Sequence, residues 1–538
     1  MSDRSNGPSW WRDAVVYQIY VRSFADGNGD GIGDIAGMTS RLAYLEQLGI
    51  DAVWINPWYR SPLNDGGYDV ADYREIDERF GTTSEAEEFI STARSHGIRV
   101  LVDLVPNHTS SDHRWFSQAL AAPAGSPERA RYHFLDGSGA TGQSPPNDWQ
   151  SVFGGPAWTR VSDGQWYLHL FDESQPDVNW ENPEVAAEFE SVMRFWLDRG
   201  AAGFRVDVAH SLLKAPGYPD TGREINDGRG TLDPVPYFDL DGIHPIVRHW
   251  RSVLDEYDDR MMVAEAWVAA ERRPLYLRPD EYHQAFDFDL LTAAWTAADF
   301  EAIVAESLRS ANAVGSDPTW VLSNHDVVRH ATRYGLPPGV EPGLWLLDGP
   351  PDLLDERRGA RRARAAALVT FALPGSAYIY QGDELGLPEA WDLPLDALQD
   401  PIWHDSGHTV KGRDGCRVPI PWEPDGPSLG FGVSEGWLPQ PDAYARLAAS
   451  SQEADPNSSL TLYRTALTVR RDRLRVERGF ELLDMGSDVL GFRRGDEFTC
   501  VVNMGDESVA LPAGDVVLAS GPLSEGRLPP DTAVWSTT

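Results

Sequence analysis

Arg205 and Asp207 stand two positions apart in the stretch Gly203-Phe-Arg-Val-Asp207. Phe204 and Val206 are apolar residues that favour β-structure, so a buried strand is predicted here. Side chains two positions apart on a strand lie on the same face, which puts the guanidinium beside the carboxyl group. A guanidinium keeps a neighbouring carboxylate ionised and fixes its direction, as a catalytic nucleophile requires. A structural ion pair would give the same pattern, so these residues alone leave both interpretations open.

Polar groups also follow three other predicted strands. Asp103 and His108 come after the third strand, Glu265 ends the fifth, and His325 and Asp326 follow the seventh. Carboxyl groups that share one rim raise one another's pKa values. A retaining glycosidase needs such a set: a nucleophile, an acid/base and a helper. A single strand-end carboxylate is often only a helix cap, whereas seven polar groups on one rim indicate a catalytic site.

The elements that must position these groups alternate between apolar strands and amphipathic helices. Strands are predicted at residues 14–21, 51–56, 99–105, 203–206, 261–266, 284–287, 319–324 and 376–381. Helices are predicted at residues 35–48, 85–96, 183–199, 245–257, 290–310 and 356–371. Eight strand–helix units predict an α/β fold, a (β/α)8 TIM barrel with its active site at the C-terminal strand ends.

The rhythm of strands and helices divides the chain into predicted domains. The barrel is expected in two parts, 1–108 and 180–474. Between them, residues 109–179 are rich in Gly, Pro, Ser and Trp and are predicted to form an irregular inserted subdomain, here called subdomain B. A loop-rich segment at 385–456 precedes a last helix at 460–471. Short alternating strands then predict a C-terminal all-β domain of sandwich type at 475–538.

Composition limits the partners of this chain. It has 538 residues and a net charge of −37. A polyanion of this size repels phosphate backbones and acidic lipids, so neither nucleic acid nor a membrane is expected as a partner. The 20 Trp residues suit the apolar faces of sugar rings, although most are expected to fill the core.

Cysteine content and terminal sequence bear on the compartment. Cys416 and Cys500 are the two cysteines, too few for a disulfide framework or a cysteine zinc site. Residues 1–8 are polar and lack the apolar segment of a signal peptide. We therefore expect a cytoplasmic protein, a monomer or a small homo-oligomer, without an organic cofactor.

Five motifs together resemble one family. They are Asp103-Leu-Val-Pro-Asn-His108, Gly203-Phe-Arg-Val-Asp207, Glu265 in Val-Ala-Glu-Ala-Trp, Ser323-Asn-His-Asp326 and Gln175-Pro-Asp-Val-Asn-Trp180. The chain resembles the α-amylase family of glycoside hydrolases (family 13), in particular its α-glucosidase and oligo-1,6-glucosidase branch. The last motif is similar to the one that marks this branch, and the similarity covers nearly the whole chain.

This resemblance implies a role for each matching residue. Asp207 would be the nucleophile and Glu265 the acid/base, while Asp326 would stabilise an oxocarbenium-like transition state. Histidine and arginine side chains would hold the reacting sugar above a floor of Asp and Tyr, and two arginines would close a blind pocket. The residues expected to bind substrate are Asp65, Tyr68, His108, Phe153, Phe171, Gln175, Arg205, His325, Arg413 and Arg417.

The loop between Asp26 and Asp34 has the spacing of hard oxygen ligands. Its twelfth position is Gly37 rather than Glu, which excludes a true EF-hand. In related glucosidases a similar loop binds one Ca²⁺ away from the chemistry, so a structural Ca²⁺ is expected, with a glycine-rich turn without metal as the alternative. The expected ligands are Asp26, Asn28, Asp30, the Ile32 carbonyl and Asp34.

The expected activity is that of a retaining, exo-acting α-glucosidase. It would release α-glucose from the non-reducing end of short α-glucosides of the maltose or isomaltose type, with some transglucosylation. A dedicated transglucosylase on the same scaffold is one alternative, and an inactive binding homologue, which would have lost its carboxylates, is a remote one. Val208 follows the nucleophile as in α-1,6-cleaving relatives, but Ala209-His210 departs from them, so the linkage stays open.

Overall fold

The structure is a computed structural model that describes residues 9–222, 235–475, 479–524 and 526–538. The prediction that residues 1–8 carry no signal peptide lies outside the described residues. Within the described ranges, every helix is too short or too polar to span a bilayer.

Eight parallel strands of the described chain close into a barrel in which each strand pairs with its neighbours in chain order. We label them β1 Val15–Ile19, β2 Ala52–Ile55, β3 Arg99–Leu104, β4 Gly203–Val206, β5 Met261–Ala264, β6 Gln284–Asp287, β7 Thr319–Val321 and β8 Ser376–Tyr380. Their side chains are almost all buried, because the barrel interior covers one face of the sheet and helices cover the other. The predicted TIM barrel is confirmed.

Register places the catalytic candidates side by side. On β3 and β4, Asp103 pairs with Arg205, and on β5 and β4, Val263 pairs with Arg205. Gly203 begins β4 at φ 143°, and a Cβ atom there would lie 1.7 Å from the Met261 carbonyl oxygen. Only glycine therefore lets β4 approach β5 closely enough for this register.

Helices surround the barrel, and their first turns carry the expected caps. Thr82 and Glu85 form a capping box at Thr83–Ser95, and Asn182 caps Pro183–Asp198. The other barrel helices and short helical segments are Trp10–Asp13, Val21–Phe24, Ile35–Ser40, Leu42–Leu48, Ile243–Leu254, Arg273–Tyr276, Phe288–Thr292, Ala297–Ala313, His330–Arg333, Pro342–Asp348, Pro351–Leu353 and Glu356–Ala372.

Two predicted helices are wrong in detail. The helix expected at 35–48 is broken at Arg41, and the one expected at 290–310 is two helices, Phe288–Thr292 and Ala297–Ala313. Thr296 caps the second of these by accepting a hydrogen bond from the backbone N–H of Asp299. The apolar periodicity runs through both helices and gives no sign of the break between them. The capping residue Thr296 marks where the second helix begins.

Subdomain B is more regular than its composition suggests. It contains the helix Arg114–Ala121, the 3-10 turn Arg129–Arg131 and an antiparallel sheet of Phe134–Asp136, Gln165–Leu168 and Trp158–Arg160. Its strands have three or four residues, too few for an alternating pattern to be recognised. A separate hairpin of Tyr59–Arg60 and Asp72–Ile76 precedes it.

The segment after β8 is loop-rich, as predicted, with short helical turns. These are Pro401–Asp405, Asp414–Cys416, Pro427–Gly430, Asp442–Leu447 and Ala449–Glu453. The last helix is Ser459–Val469, and it continues into the π-helical turn Arg470–Leu474.

The C-terminal part is all-β, as predicted. Five antiparallel strands form one sheet in the order Phe480–Leu483, Val489–Arg494, Phe498–Asn503, Thr532–Thr537 and Asp515–Ala519. Val509–Ala510 and Arg527–Leu528 form a second, two-stranded sheet. Val501, Leu528 and Val534 share an apolar cluster, and Trp535 donates to the carbonyl of Leu368 on a barrel helix at 3.1 Å. The exact domain boundaries stay predictions.

Candidate active site

Arg205 lies at the centre of the buried charges at the barrel mouth. Its Nη1 donates to Asp207 Oδ1 at 2.5 Å and to Asp103 Oδ1 at 3.0 Å, and its Nη2 lies 3.0 Å from Glu265 Oε2. Tyr68 adds a hydrogen bond to Asp103 Oδ2 at 3.0 Å. One guanidinium thus contacts two of the three carboxyl groups that the sequence predicts to be catalytic, Asp207 and Glu265.

Glu265 directly follows β5 and has donors on both carboxyl oxygens. The backbone N–H of Val208 donates to Oε2 at 2.9 Å, and Trp267 Nε1 donates to Oε1 at 3.2 Å. Val208 reaches this position with φ 42°, a left-handed conformation that costs energy in a β-branched residue. The backbone after Asp207 is therefore strained in a form that aims an N–H at Glu265.

Burial governs the protonation of this cluster. Desolvation raises the pKa of Asp207 well above its ordinary value, the charges of Glu265 and Asp103 raise it further, and Arg205 opposes both. Desolvation also raises the pKa of Asp103 to about 6 against the opposing effect of Arg205. Since one guanidinium faces three carboxyl groups, full ionisation of all three is unfavourable. The cluster can thus retain a proton for acid catalysis.

Asp326 follows β7 and lies between two arginines. Its Oδ1 accepts from Arg413 Nη1 at 3.1 Å and from Arg417 Nη2 at 3.0 Å, and His325 Nε2 is 3.2 Å from its Oδ2. Burial raises the pKa of Asp326, but His325, Arg413 and Arg417 lower it below its ordinary value. Asp326 is therefore held in its ionised form, as a group that stabilises positive charge must be.

Arg413 joins this part of the rim to Asp65 and, through it, to Gln175. Its Nη2 donates to Asp65 Oδ1 at 2.7 Å, and Gln175 Nε2 donates to Asp65 Oδ2 at 3.0 Å. Gln175 Nε2 also lies 3.1 Å from His108 Nε2. Burial lowers the pKa of His108 to about 4, so its ring is neutral near pH 7 and can share hydrogen bonds with sugar hydroxyls.

Aromatic rings line the same region. Tyr68 stacks on His325 with a centroid distance of 5.1 Å and an interplanar angle of 12°. Phe153 lies 4.9 Å below the guanidinium of Arg413 and packs edge-on against Phe171 at 5.7 Å. All of the predicted catalytic and substrate-binding residues are therefore joined in one connected set of contacts.

Three functional candidates were given no role by the sequence. Asp103 was counted among the rim groups but not as the anchor of Arg205. Asp400 orients Arg413 by accepting from its Nε at 2.7 Å, and Arg413 lowers the pKa of Asp400 to about 2 although burial raises it. Trp267 contacts Glu265. The position of Trp267 two residues after Glu265 was a signal that could have been used, whereas Asp400 lies in a segment without periodicity.

The predicted metal loop folds as a hydrogen-bonded turn. Asp26 accepts from the N–H groups of Gly29 and Gly31 at 2.5 and 2.9 Å, and Asp34 accepts from Gly37 at 2.6 Å. The oxygen-rich donor set suits Ca²⁺ chemically. Among the described residues no group of three or more His, Cys, Asp or Glu side chains is placed to hold a metal, and the expected set depends on the Asn28 amide and the Ile32 carbonyl as well. Calcium therefore stays a prediction.

A (β/α)8 barrel whose strand ends hold an arginine-bridged pair of carboxyl groups has the groups that a glycoside hydrolase needs at the place where such barrels carry their active sites. The model of the alpha amylase catalytic domain matches residues 18–479, and a domain of unknown function matches residues 467–535. The chain belongs to the α-amylase family of glycoside hydrolases, in its α-glucosidase and oligo-1,6-glucosidase branch.

Individual relatives agree with this assignment. The chain is 36% identical over 528 residues to a protein named "Probable alpha-glucosidase" from Rhizobium meliloti (strain 1021), covering 93% of this chain and 90% of that one. It is 33% identical to an oligo-1,6-glucosidase of Parageobacillus thermoglucosidasius, with 86% and 84% covered. A crystal structure of an α-glucosyl transfer enzyme is similar with a TM-score of 0.86 at 33% identity, covering 99% of this chain and 100% of that chain.

Proposed function

We propose that this glycoside hydrolase is a retaining, exo-acting α-glucosidase of short α-glucosides. The observation that carries the proposal is the ion network beside the two carboxyl groups, in which Arg413 bridges Asp65 and Asp326. This network of buried ion pairs would close one end of the substrate site, so that a single terminal glucosyl unit fits against it. Charged hydrogen-bonding groups suit sugar hydroxyls, and the rest of the substrate would extend away from them.

The chemistry follows from the positions of Asp207 and Glu265. Asp207 attacks the anomeric carbon while Glu265 gives its proton to the glycosidic oxygen, and the bond between that carbon and oxygen breaks. The product of this step is a β-glucosyl ester on Asp207 and a free alcohol. Glu265 then takes a proton from water as the water oxygen bonds to the anomeric carbon and the ester bond from that carbon to Asp207 breaks, which releases α-glucose and restores both groups.

Arg205 and Asp326 support these steps electrostatically. Arg205 favours the ionised form of Asp207 against the effect of burial and directs its attacking oxygen, because it donates to that carboxyl group from a buried position. Asp326 faces the positive charge that develops on the sugar ring. His108 and His325 are expected to donate hydrogen bonds to its hydroxyls.

Transfer to a sugar acceptor is a second candidate function. It is favoured by the similarity in fold to an α-glucosyl transfer enzyme over nearly the whole of both chains. The glucosyl ester on Asp207 would be the same in both reactions, and only the acceptor would differ. Both reactions therefore use the same small-oligosaccharide substrate. The ratio of transfer to water and transfer to sugar decides whether the chain acts mainly as a hydrolase or as a transglucosylase.

The direct test is a comparison of maltose, isomaltose, sucrose and trehalose as substrates at equal concentration, with glucose and transfer products measured separately. The proposal expects glucose from at least one of them. Asp207→Asn should lower turnover by several orders of magnitude, on the scale seen when a covalent nucleophile is removed. A folded Asp207→Asn variant with near-normal turnover, or a wild-type chain that releases no glucose from any of the four, would contradict the proposal.

A further inference from the structure

The two carboxyl oxygens of Glu265 have different partners. Oε2 faces two donors, the Nη2 of Arg205 at 3.0 Å and the backbone N–H of Val208 at 2.9 Å. In the described part of the chain, Oε1 has a single donor, the indole Nε1 of Trp267 at 3.2 Å. This asymmetry distinguishes the two oxygens in a group that must both give and take a proton.

A proton on Oε2 would compete for space with the N–H groups of Arg205 and Val208, which already point at this oxygen. An ionised carboxylate oxygen accepts such hydrogen bonds, but a carboxylic O–H competes with them for the same space. The proton of the acid form is therefore carried on Oε1. Since the Arg205 side is closed to proton transfer, Oε1 is the atom that exchanges a proton with the glycosidic oxygen and later with water.

The same contacts define two sides of Glu265. Arg205 also holds Asp207, so the Oε2 side faces the sugar ring that is attacked. Trp267 lies at the other oxygen. If the attacked ring lies on the side of Arg205 and Asp207, the leaving group departs on the side of Trp267. Its indole stacks on Phe288 with a centroid distance of 3.9 Å and an interplanar angle of 12°. The ring is partly buried and packs against the apolar cluster inside the barrel that contains Phe288.

We propose that Trp267 is the positioning residue of the acid/base Glu265 and, supported by Phe288, the floor of the aglycone site. This inference rests on the proposed function, in which Glu265 is the acid/base. The N–H of Trp267 directs Oε1 toward the glycosidic oxygen when Glu265 is protonated. After the proton has moved and the C1–O bond has broken, the same N–H stabilises the carboxylate that remains. The indole face offers an apolar surface to the departing sugar.

Three variants separate these two effects. Trp267→Phe keeps an aromatic ring on Phe288 but removes the N–H, and Trp267→Ala removes both. Trp166→Phe is the matched control, because Trp166 is a partly buried indole that donates one hydrogen bond, to the Gly142 carbonyl at 3.1 Å in subdomain B. Maltose and α-glucosyl fluoride are the substrates, since fluoride leaves with little need for protonation.

Trp267→Phe is expected to lower kcat on maltose by about tenfold, the scale of one lost hydrogen bond to a charged group, with α-glucosyl fluoride changed less than about twofold. The alkaline limb of the kcat/KM profile on maltose should move to higher pH, because the ionised carboxylate loses a donor. Trp267→Ala should in addition raise KM for maltose and weaken transfer to sugar acceptors. Trp166→Phe should match the wild type.

Equal losses on maltose and fluoride, with an unmoved pH limb, would contradict the positioning role. An unchanged KM and transfer rate in Trp267→Ala would contradict the aglycone floor. The proposed function is tested separately in the same experiment, because a wild-type chain that turns over neither substrate would refute it. A wild type active on both, with variants that behave like the wild type, would overturn only the inference about Trp267.

Discussion

Asp103 lies beneath Arg205 as its direct neighbour across strands β3 and β4, and Arg205 Nη1 donates to its two carboxyl oxygens at 3.0 and 3.2 Å. Trp54 Nε1 donates to the same carboxylate at 2.9 Å. Both members of the pair are buried. The guanidinium of Arg205, which contacts Asp207 and Glu265, is thus held in turn by Asp103, a carboxyl group without a proposed role in the chemical steps.

Asp103→Asn should therefore lower kcat while leaving KM for maltose nearly unchanged. A lost charge-assisted hydrogen bond is worth about 1.5–3 kcal/mol, which corresponds to a loss of roughly 10- to 100-fold. Because burial raises the pKa of Asp103 to about 6, the difference between wild type and variant should shrink below that pH. Asp317→Asn is the control, since it removes a carboxylate that pairs with Arg12 outside the site. An Asp103→Asn variant with wild-type kcat at pH 7 would show that Arg205 needs no anchor.

Arg413→Ala should raise KM for maltose by about 100-fold or more, because Asp65, Asp326 and Asp400 lose a shared positive partner in a buried site. Arg413→Lys should restore only part of the affinity, since an ammonium cannot match the forked geometry of guanidinium. Arg60→Ala serves as the control, because Arg60 pairs with Glu75 on the exposed surface. The melting temperature of each variant is checked first, and KM is then measured by steady-state kinetics. A KM that stays at the wild-type value would refute closure of the substrate site by Arg413.

His113 gives a prediction about acid stability. It caps the helix Arg114–Ala121 by accepting from the N–H of Trp115 at 3.2 Å, and burial lowers the pKa of His113 to about 4. The folded state therefore binds fewer protons than the unfolded state between pH 6.5 and about 4, so this contribution to stability is lost as the pH falls through that window. His113→Asn keeps a side-chain cap without a charge.

The wild type should thus lose stability relative to His113→Asn on acidification from pH 7 to 4. The change expected is on the order of 2–3 kcal/mol, since one pKa unit corresponds to about 1.4 kcal/mol. Denaturant unfolding at several pH values measures it. A difference in the free energy of unfolding that is constant with pH would mean that His113 is not buried in its neutral form.

The loop from Asp26 to Asp34 should bind Ca²⁺ for stability rather than for catalysis. Saturation at about 100 times the dissociation constant would add about 2.7 kcal/mol to the folded state. Chelation should then lower the melting temperature and leave the pH profile of catalysis unchanged, and Asp26→Asn should abolish the response to calcium. Identical melting curves with calcium and with chelator would identify the loop as a turn without metal.

The sequence predicts the features that follow from the periodicity of side chains and from the positions where strands end. Alternation of side chains along β4 places Arg205 and Asp207 on one face. Because the strands are parallel, their C-terminal ends lie together and bring Glu265 and Asp326 to the same rim. The breaks inside two helices escape prediction, because a cap such as Thr296 resembles any other threonine in a periodic run.

Other features depend on contacts between segments that are far apart in the chain. Asp400 meets Arg413 within a loop-rich segment that carries no apolar pattern. The left-handed backbone of Val208 is invisible in a sequence, since valine rarely adopts φ 42° and does so here where it donates to Glu265. Strained and loop-borne groups of this kind require the structure.

The anomeric form of the first product tests the central claim most directly. If Asp207 and Glu265 flank the bond as in retaining enzymes, their carboxyl groups stand about 5–5.5 Å apart, which leaves no room for water to attack directly. Glucose must then be released with the configuration of the substrate. Proton NMR in the first minutes of α-glucosyl fluoride hydrolysis, before mutarotation, should show α-glucose ahead of β-glucose, because this substrate gives glucose only from the ring that is attacked. If β-glucose forms first, the retaining mechanism and the nucleophilic role of Asp207 are both wrong.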